Sequence, residues 1–168
     1  PALLPGALLL TIVVLGMLAP LLAPYDPDAI DIPSALADPS ADYWLGTDQL
    51  GRDQLSRLLY GGRTTLAVSA ISTLGIVVLG LIVGLVAGYY GGYIDLAISA
   101  ILTVLLALPS LLLSLAILGI LGPGDNSLLI ALIAAGWAGH ARIFRASALS
   151  LREQLYVDAA RVLGLRAS

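Results

Sequence analysis

No charged side chain interrupts the stretch from Thr64 to Gly88, which reads TTLAVSAISTLGIVVLGLIVGLVAG over 25 residues. A helix needs about 20 apolar residues to cross the hydrocarbon core of a bilayer, and this run exceeds that length. Gly80, Gly84 and Gly88 recur at four-residue spacing and therefore share one helix face. Because small residues in that register allow a second helix to approach closely, the stretch predicts a spanning helix with a packing seam along its glycines.

Three further apolar blocks flank this stretch, from Ala2 to Ala23, from Leu96 to Leu121 and from about Leu128 to Ala148. Pro109 lies well inside the block that begins at Leu96, and we expect a kinked helix there because proline removes a backbone donor. The chain is 59% hydrophobic and only 11% charged, whereas soluble domains carry about 25% charged residues. The sequence therefore predicts an all-α, polytopic transmembrane bundle with four spanning helices.

The segment from Tyr25 to Arg63 is polar and acidic, with seven aspartates against three arginines. Leucines at helical spacing near its end predict a short helix that lies at the membrane surface. We therefore expect three regions: an N-terminal transmembrane helix at 1–24, an acidic extracytoplasmic segment with this surface helix at 25–63, and a core of three transmembrane helices at 64–168.

The distribution of arginine predicts the orientation, because the sequence holds eight arginines and no lysine. Residues 140–168 contain five of these arginines, and the flanks of spanning helices on the cytoplasmic side are enriched in positive charge. We expect a cytoplasmic C-terminal segment, an N-terminus on the same side after four crossings, and an acidic segment on the outside.

The residues that the sequence lacks exclude several kinds of chemistry. A P-loop needs a lysine that reaches the phosphates, so this chain is not an ATPase of that kind. Cysteine is absent and His140 is the one histidine, which nearly excludes a His/Cys zinc site within one chain. No charge lies inside the first three apolar blocks, whereas ion-coupled carriers generally place ionisable residues there. We expect no catalytic residue, no metal site and an energy source outside the bilayer.

One short pattern leaves an enzyme open. Residues 122–125 read GPGD, which resembles the G-x-G-D pattern of intramembrane aspartyl proteases, with Asp26 available as a second carboxylate beside Asp125. Such a pair needs two carboxylates close together in a site of low dielectric constant, and both of these lie in turns rich in proline and glycine. A non-catalytic membrane scaffold is a further alternative. Asp95 begins a predicted helix, where a negative charge interacts favourably with the helix dipole.

Five motifs in order along the chain carry a family resemblance. They read YWLGTDQLGRD at 43–53, AGYYGGYID at 87–95, LPS at 108–110, GWAGHAR at 136–142 and DAARVLG at 158–164. Together they resemble the C-type permease subunits of dipeptide, oligopeptide and nickel ABC importers, over essentially the whole chain. The first motif is similar to the signature ahead of the second helix in these permeases, and its matching residues are Leu45, Gly46, Thr47, Asp48, Gly51, Arg52 and Asp53.

The resemblance implies an ABC importer type I permease fold of six spanning helices, of which a C-terminally truncated chain would hold four. It also implies that the last motif is a coupling helix that docks on an ATPase subunit. The residues involved would be Asp158, Ala159, Ala160 and Gly164, with Arg152 and Arg161 available to pair with acidic groups of the partner. The family usually has an arginine and an aspartate where Ser99 and Thr103 stand, so a charge pair is missing there.

The partners and the cargo also follow from the resemblance. It implies part of a translocation pathway for peptides or a related small solute, such as a nickel chelate or an opine. The partners would be a second permease subunit, two cytoplasmic ATPase subunits that bind ATP and Mg²⁺, and an extracytoplasmic substrate-binding protein. We expect no cofactor in this chain, no nucleic acid, and a location in the prokaryotic plasma (inner) membrane.

Overall fold

The computed structural model describes residues 3–157 and is built almost entirely of helices. The elements are α1 (Leu3–Met17), α2 (Ala19–Leu22), a 3-10 turn (Ile32–Ser34), α3 (Gln54–Tyr90), α4 (Gly92–Ala107), α5 (Ser110–Leu121) and α6 (Asp125–Arg152). Within this range the β-structure is one isolated bridge between Thr47 and Asp53. The chain divides into two compact units, Pro1–Ser69 and Ala70–Ser168, with the boundary inside α3. The prediction of an all-α fold is confirmed.

The described helices supply two or three candidate membrane spans. Length and composition allow α3, with 37 residues, and α6, with 28 residues, each to cross a membrane. The apolar helices α4 and α5 meet at a bend of 89° and count together as one further candidate span. Helix α1 has 15 residues, fewer than the about 20 that a straight crossing needs. The total of four spanning helices therefore stays a prediction.

The first apolar block contains two helices instead of one. Helix α1 ends at Met17, and α2 begins at Ala19 with Pro20 in its first turn. Because proline has no N–H to donate, it cannot continue the hydrogen-bond ladder of α1. Within this unit Gly16 of α1 lies against α3, since a methyl group added there would be 3.1 Å from the side chain of Leu66.

Helix α3 joins two elements that the sequence analysis separates. The expected short surface helix is not a distinct element, because one helix runs from Gln54 to Tyr90. The adjacent Gly61 and Gly62 lie inside this helix, and a side chain at either position would meet open space. A glycine inside a helix costs only about 1 kcal/mol relative to alanine, which the long apolar helix tolerates. At about 1.5 Å per residue, α3 is ~55 Å long.

A full break takes the place of the expected kink at Pro109. Leu108 has extended backbone angles, with φ −91° and ψ 134°, because a following proline disfavours the helical conformation. Pro109 is extended as well, with φ −58° and ψ 121°, and α5 begins at Ser110. The Leu113 amide then donates to the Pro109 carbonyl over 3.1 Å. The block from Leu96 to Leu121 is therefore two helices at a steep angle.

Helix α6 packs against α3, α4 and α5 and organises the second unit. A methyl group added at Gly84 would lie 2.5 Å from the Ala141 carbonyl oxygen, and one at Gly88 would lie 2.5 Å from the Ala148 side chain. At Gly80 the added carbon would lie 2.8 Å from α6. All three glycines thus face α6 at separations that leave no room for a side chain.

Alanine at Gly84 is expected to lower the free energy of unfolding in detergent by about 1–3 kcal/mol, as overpacking a tight contact does. Gly61→Ala in the same helix is the matched control, because open space surrounds it. This control is expected to be neutral or stabilising by up to about 1 kcal/mol through helix propensity. Equal effects of the two substitutions on denaturant-induced unfolding would contradict the close approach of α3 and α6.

Candidate functional sites: the signature loop and an aspartate–arginine pair

The signature residues form a tight loop immediately before α3. Thr47 and Asp53 pair in an antiparallel bridge, and the Asp48 amide donates to the Arg52 carbonyl over 3.0 Å. Gly46 and Gly51 have positive φ angles of 73° and 75°, a region that favours glycine. A side chain at either position would also collide with a backbone carbonyl from earlier in the chain. The loop therefore requires both glycines.

Thr47 ties this loop to the preceding segment. It is 2% exposed, and its hydroxyl donates to the Ser34 carbonyl while accepting a hydrogen bond from the Ala37 amide over 2.8 Å. The side-chain amide of Gln54 donates to the Thr47 carbonyl over 3.1 Å. The Thr47 hydroxyl thus joins the loop to the 3-10 turn, and the Thr47 carbonyl joins it to the start of α3.

Asp48 forms ion pairs with two arginines, one in the loop and one in α3. Its Oδ2 atom accepts hydrogen bonds from Nε and Nη2 of Arg52, each over 2.8 Å, and forms an ion pair with Arg57. Its Oδ1 atom accepts from the Leu50 amide over 2.8 Å. The side-chain hydrogen bond from Arg52, with backbone hydrogen bonds from Leu50 and Arg52 and the charge of Arg52, holds the pKa of Asp48 well below its usual range. The carboxylate is therefore ionised wherever the loop is folded near neutral pH.

Asp53 begins α3 as its N-terminal cap. The side chain is 3% exposed, and Oδ2 accepts hydrogen bonds from the amide and the hydroxyl of Ser56 over 2.8 and 2.7 Å. The Ser56 hydroxyl oxygen in turn accepts a hydrogen bond from the Tyr25 amide over 3.2 Å. A side-chain acceptor at this position satisfies amides that the first helical turn leaves without partners. The signature thus fixes both the start of α3 and the chain that follows α2.

An ion pair connects α4 and α6 in the second unit. Asp95 lies in the first turn of α4, and Arg145 lies near the end of α6, 50 residues later. Nη2 of Arg145 donates to Oδ2 of Asp95 over 2.7 Å, and Nε donates to Oδ1. Both side chains are largely enclosed, with 27% of the Arg145 side chain and 19% of the Asp95 side chain exposed. Such a bidentate pair combines charge with a fixed geometry.

Sequence reasoning missed this pair. Asp95 was expected to interact with the dipole of its own helix, and no partner was assigned to Arg145. The available signal was that an aspartate and an arginine each stand within an apolar helix, where an ionised group needs a partner. Spacing along the chain does not reveal which residues meet.

The predicted coupling residues lie mostly outside the described range. They are Asp158, Ala159, Ala160, Arg161 and Gly164. Arg152 is described, and it is the last residue of α6. Its guanidinium lies beside the turn between α3 and α4, since a side chain at Gly91 would be 2.7 Å from its Nη1 atom. The C-terminal end of α6 is therefore in contact with that turn.

The residues proposed for an aspartyl protease do not form an enclosed site. Asp125 is the exposed first residue of α6, and Asp26 is exposed in the turn that follows α2. Residues 3–157 contain no group of three or more histidine, cysteine, aspartate or glutamate side chains that could hold a metal ion. Neither carboxylate has the apolar enclosure that a catalytic aspartate pair needs.

Apolar helices with a glycine seam, a broken span and an ion pair between them are consistent with a membrane permease. Residues 80–168 match the family described as the binding-protein-dependent transport system inner membrane component. The chain belongs to this family, and within it to the peptide and nickel ABC permeases.

Relatives with assigned names agree with this placement. The chain is 40% identical over 141 residues to the nickel transport system permease protein NikC of Escherichia coli K12, a match that covers 84% of the chain and 51% of the relative. It is 38% identical to the dipeptide transport system permease protein DppC of Bacillus subtilis, over 95% of the chain and 50% of the relative. It is 36% identical to the glutathione transport system permease protein GsiD of Pectobacterium atrosepticum, over 95% of the chain and 53% of the relative. The chain spans about half the length of these relatives.

The loop is expected to keep its structure in moderate acid. Because the folded pKa of Asp48 lies below the about 3.9 of an unfolded aspartate, its ion pairs stabilise the loop above that pH and are lost only as the pH falls through the folded pKa. The emission of Trp44, measured in a Trp137→Phe background, should therefore stay constant from pH 7 to pH 4.5. Asp48→Asn should shift this emission at pH 7. Asp42→Asn should not, because Asp42 forms no ion pair among residues 3–157. A transition near pH 5 in the parent protein would contradict the assignment.

The Asp95–Arg145 pair is expected to show a large coupling energy. Asp95→Asn and Arg145→Gln should each lower the free energy of unfolding by about 1.5–3 kcal/mol, the range for hydrogen bonds to charged groups. The free energy of unfolding of the double variant should fall by much less than the sum of the two single losses. The reason is that the second substitution removes a group already without its partner. A double-mutant cycle of unfolding in detergent measures this, and additive effects would contradict the pair.

Proposed function

We propose that this chain forms part of the translocation pathway of an ABC importer for peptides or a related small solute, such as a nickel chelate or an opine. The observation that carries the proposal is its family membership, through the match over residues 80–168. Similarity to permeases named for nickel, dipeptides and glutathione supports the class of solute. ATP hydrolysis would take place on partner subunits that bind ATP and Mg²⁺, since this sequence has no P-loop lysine.

The packing of α6 supports a route by which movement of the ATPase subunits would be transmitted to the spanning helices. Helix α6 contacts α3, α4 and α5, and its end at Arg152 is followed closely by residues 158–164, the proposed coupling helix. Because these contacts are close, α6 would move as one unit. Asp95 and Arg145 would then carry a displacement of α6 to the first turn of α4. ATP-driven closure of the partner subunits would thereby switch the pathway between outward and inward access.

The proposed assembly also contains a second permease subunit, two cytoplasmic ATPases and an extracytoplasmic substrate-binding protein. The arginine-rich end of the chain would face the cytoplasm, in agreement with the positive-inside rule. The acidic segment would then lie outside, where its exposed side chains, such as Trp44 at 68% and Leu36 at 71%, are available to a partner.

The test addresses the coupling segment in the full-length protein with its partner subunits. Ala159→Glu with Ala160→Glu should abolish solute-stimulated ATPase activity and reduce uptake at least tenfold, because two charges and added bulk would prevent close docking. Glu153→Gln, at an exposed position outside the segment, serves as a control and should leave both activities near the parent level. Both activities are measured in proteoliposomes with the binding protein present.

Two results would contradict the proposal in different ways. Unchanged uptake and ATPase stimulation in the double variant would remove the coupling assignment while leaving the transport function. No ATP-dependent uptake by the parent assembly, together with no association with an ATPase subunit, would instead favour a membrane scaffold.

A further inference from the structure

A polar cavity lies between α4 and α6 in the second unit. Its volume is about 550 Å³, within the range of about 300–1,000 Å³ that is usual for small-molecule sites. Its polar lining consists of Ser99 and Thr103 from α4 and Arg142 and Arg145 from α6, and three apolar side chains of α4 complete it. Two guanidinium groups thus meet in a cavity between helices that cross or enter the membrane.

The hydrogen bonds around this cavity leave one of the two arginines without a partner. Arg145 is bound by Asp95. The Thr103 hydroxyl donates to the Ser99 carbonyl over 2.7 Å, and the Ser99 hydroxyl lies 3.4 Å from Asp95. The Arg142 side chain has no ion pair and no hydrogen bond within residues 3–157. Among these residues the cavity therefore holds one positive charge without a counter-charge and a guanidinium with all its donors available.

The position of Arg142 argues for a partner that comes through water. It stands ten residues before the end of α6, about 15 Å along the helix axis. If α6 is centred in a bilayer with a core of about 30 Å, this places its backbone roughly 9 Å below the edge of the core. Lipid phosphates lie beyond that edge, so the Arg142 side chain would have to extend out of the hydrocarbon core to contact one. An arginine at such depth typically faces a water-filled cavity or a solute pathway.

The break after α4 lies beside this cavity. Leu106 and Ala107 line the cavity and form the last residues of α4, and the chain continues through extended Leu108 and Pro109. The final carbonyls of a helix lack partners within it, and non-helical backbone at membrane depth is tolerated where it lines an aqueous cavity or is buried in protein. These carbonyls also form the negative end of the helix dipole.

We infer that this cavity is a binding site for a small zwitterionic solute such as a short peptide, whose carboxylate binds Arg142. The inference rests on the proposed transport function and assigns a residue to solute recognition within it. A guanidinium binds a carboxylate through two parallel hydrogen bonds. The last turn of α4, which contributes Leu106 and Ala107 to the lining, is the negative end of that helix dipole and would favour the ammonium group of the same molecule. The cavity thus matches the charge distribution of a free peptide better than that of a simple anion.

The experiment compares peptides with a free and an amidated C-terminus in the complete importer. ATP-dependent uptake of a dipeptide and of its C-terminal amide is measured in proteoliposomes. The ratio of the dipeptide rate to the amide rate is then compared between the parent and Arg142→Gln. The binding protein is the same in both, so a change in the ratio arises in the permease. The ratio is expected to fall about tenfold in Arg142→Gln. The control is Arg63→Gln, which removes another exposed arginine without an ion pair in the described range and should keep the parent ratio.

A second variant keeps Arg142 and instead supplies it with a partner. Thr103→Asp places a carboxylate in the same cavity, so it should occupy Arg142 and lower the ratio in the same direction while the chain still folds. A ratio that is unchanged in both variants, with uptake intact, would overturn the site and leave the transport function. No uptake of either peptide by the parent importer would overturn both proposals. Strong retention of phosphatidylglycerol that is lost in Arg142→Gln, with the ratio unchanged, would assign the cavity to a lipid and also overturn the site.

Discussion

The second unit depends on the close approach of α3 and α6. Hydrophobicity gives no preference for one helix contact over another within lipid, so packing between small residues has to supply it. Gly84 and Gly88 bring the backbone of α3 against Ala141 and Ala148, and any side chain at these positions would push the helices apart. This contact fixes which face of α6 lies against α3. The positions of Arg142 and Arg145 on the other faces of α6 follow from it.

Features that are local along one helix could be predicted from the sequence. The glycine register at 80, 84 and 88 is visible because four-residue spacing places residues on one face. The turn at Gly91 and Gly92, where both φ angles are positive, is visible because two glycines interrupt an apolar pattern. The break at Pro109 was only half visible. A proline within an apolar block can kink a helix or end it, and the choice depends on groups elsewhere that satisfy the free carbonyls.

Contacts between distant residues could not be predicted. Asp95 and Arg145 are 50 residues apart, and each alone resembles an interfacial charge at a helix end. The same holds for the signature loop, where the motif is recognisable but its partners are not. Thr47 bonds to Ser34 and Ala37, and the capped first turn of α3 bonds back to Tyr25. No periodicity links these positions, because the chain between them is irregular.

The signature loop also bears on where solute specificity resides. Gly46 and Gly51 are required by backbone conformation. The buried Thr47 hydroxyl and Oδ2 of buried Asp53 are engaged in hydrogen bonds, and Asp48 is held by Arg52 of the loop and Arg57 of α3. Side chains committed to internal contacts in this way have fewer polar groups to offer a solute. The solute site inferred above instead uses Arg142, whose side chain has no ion pair within the described residues.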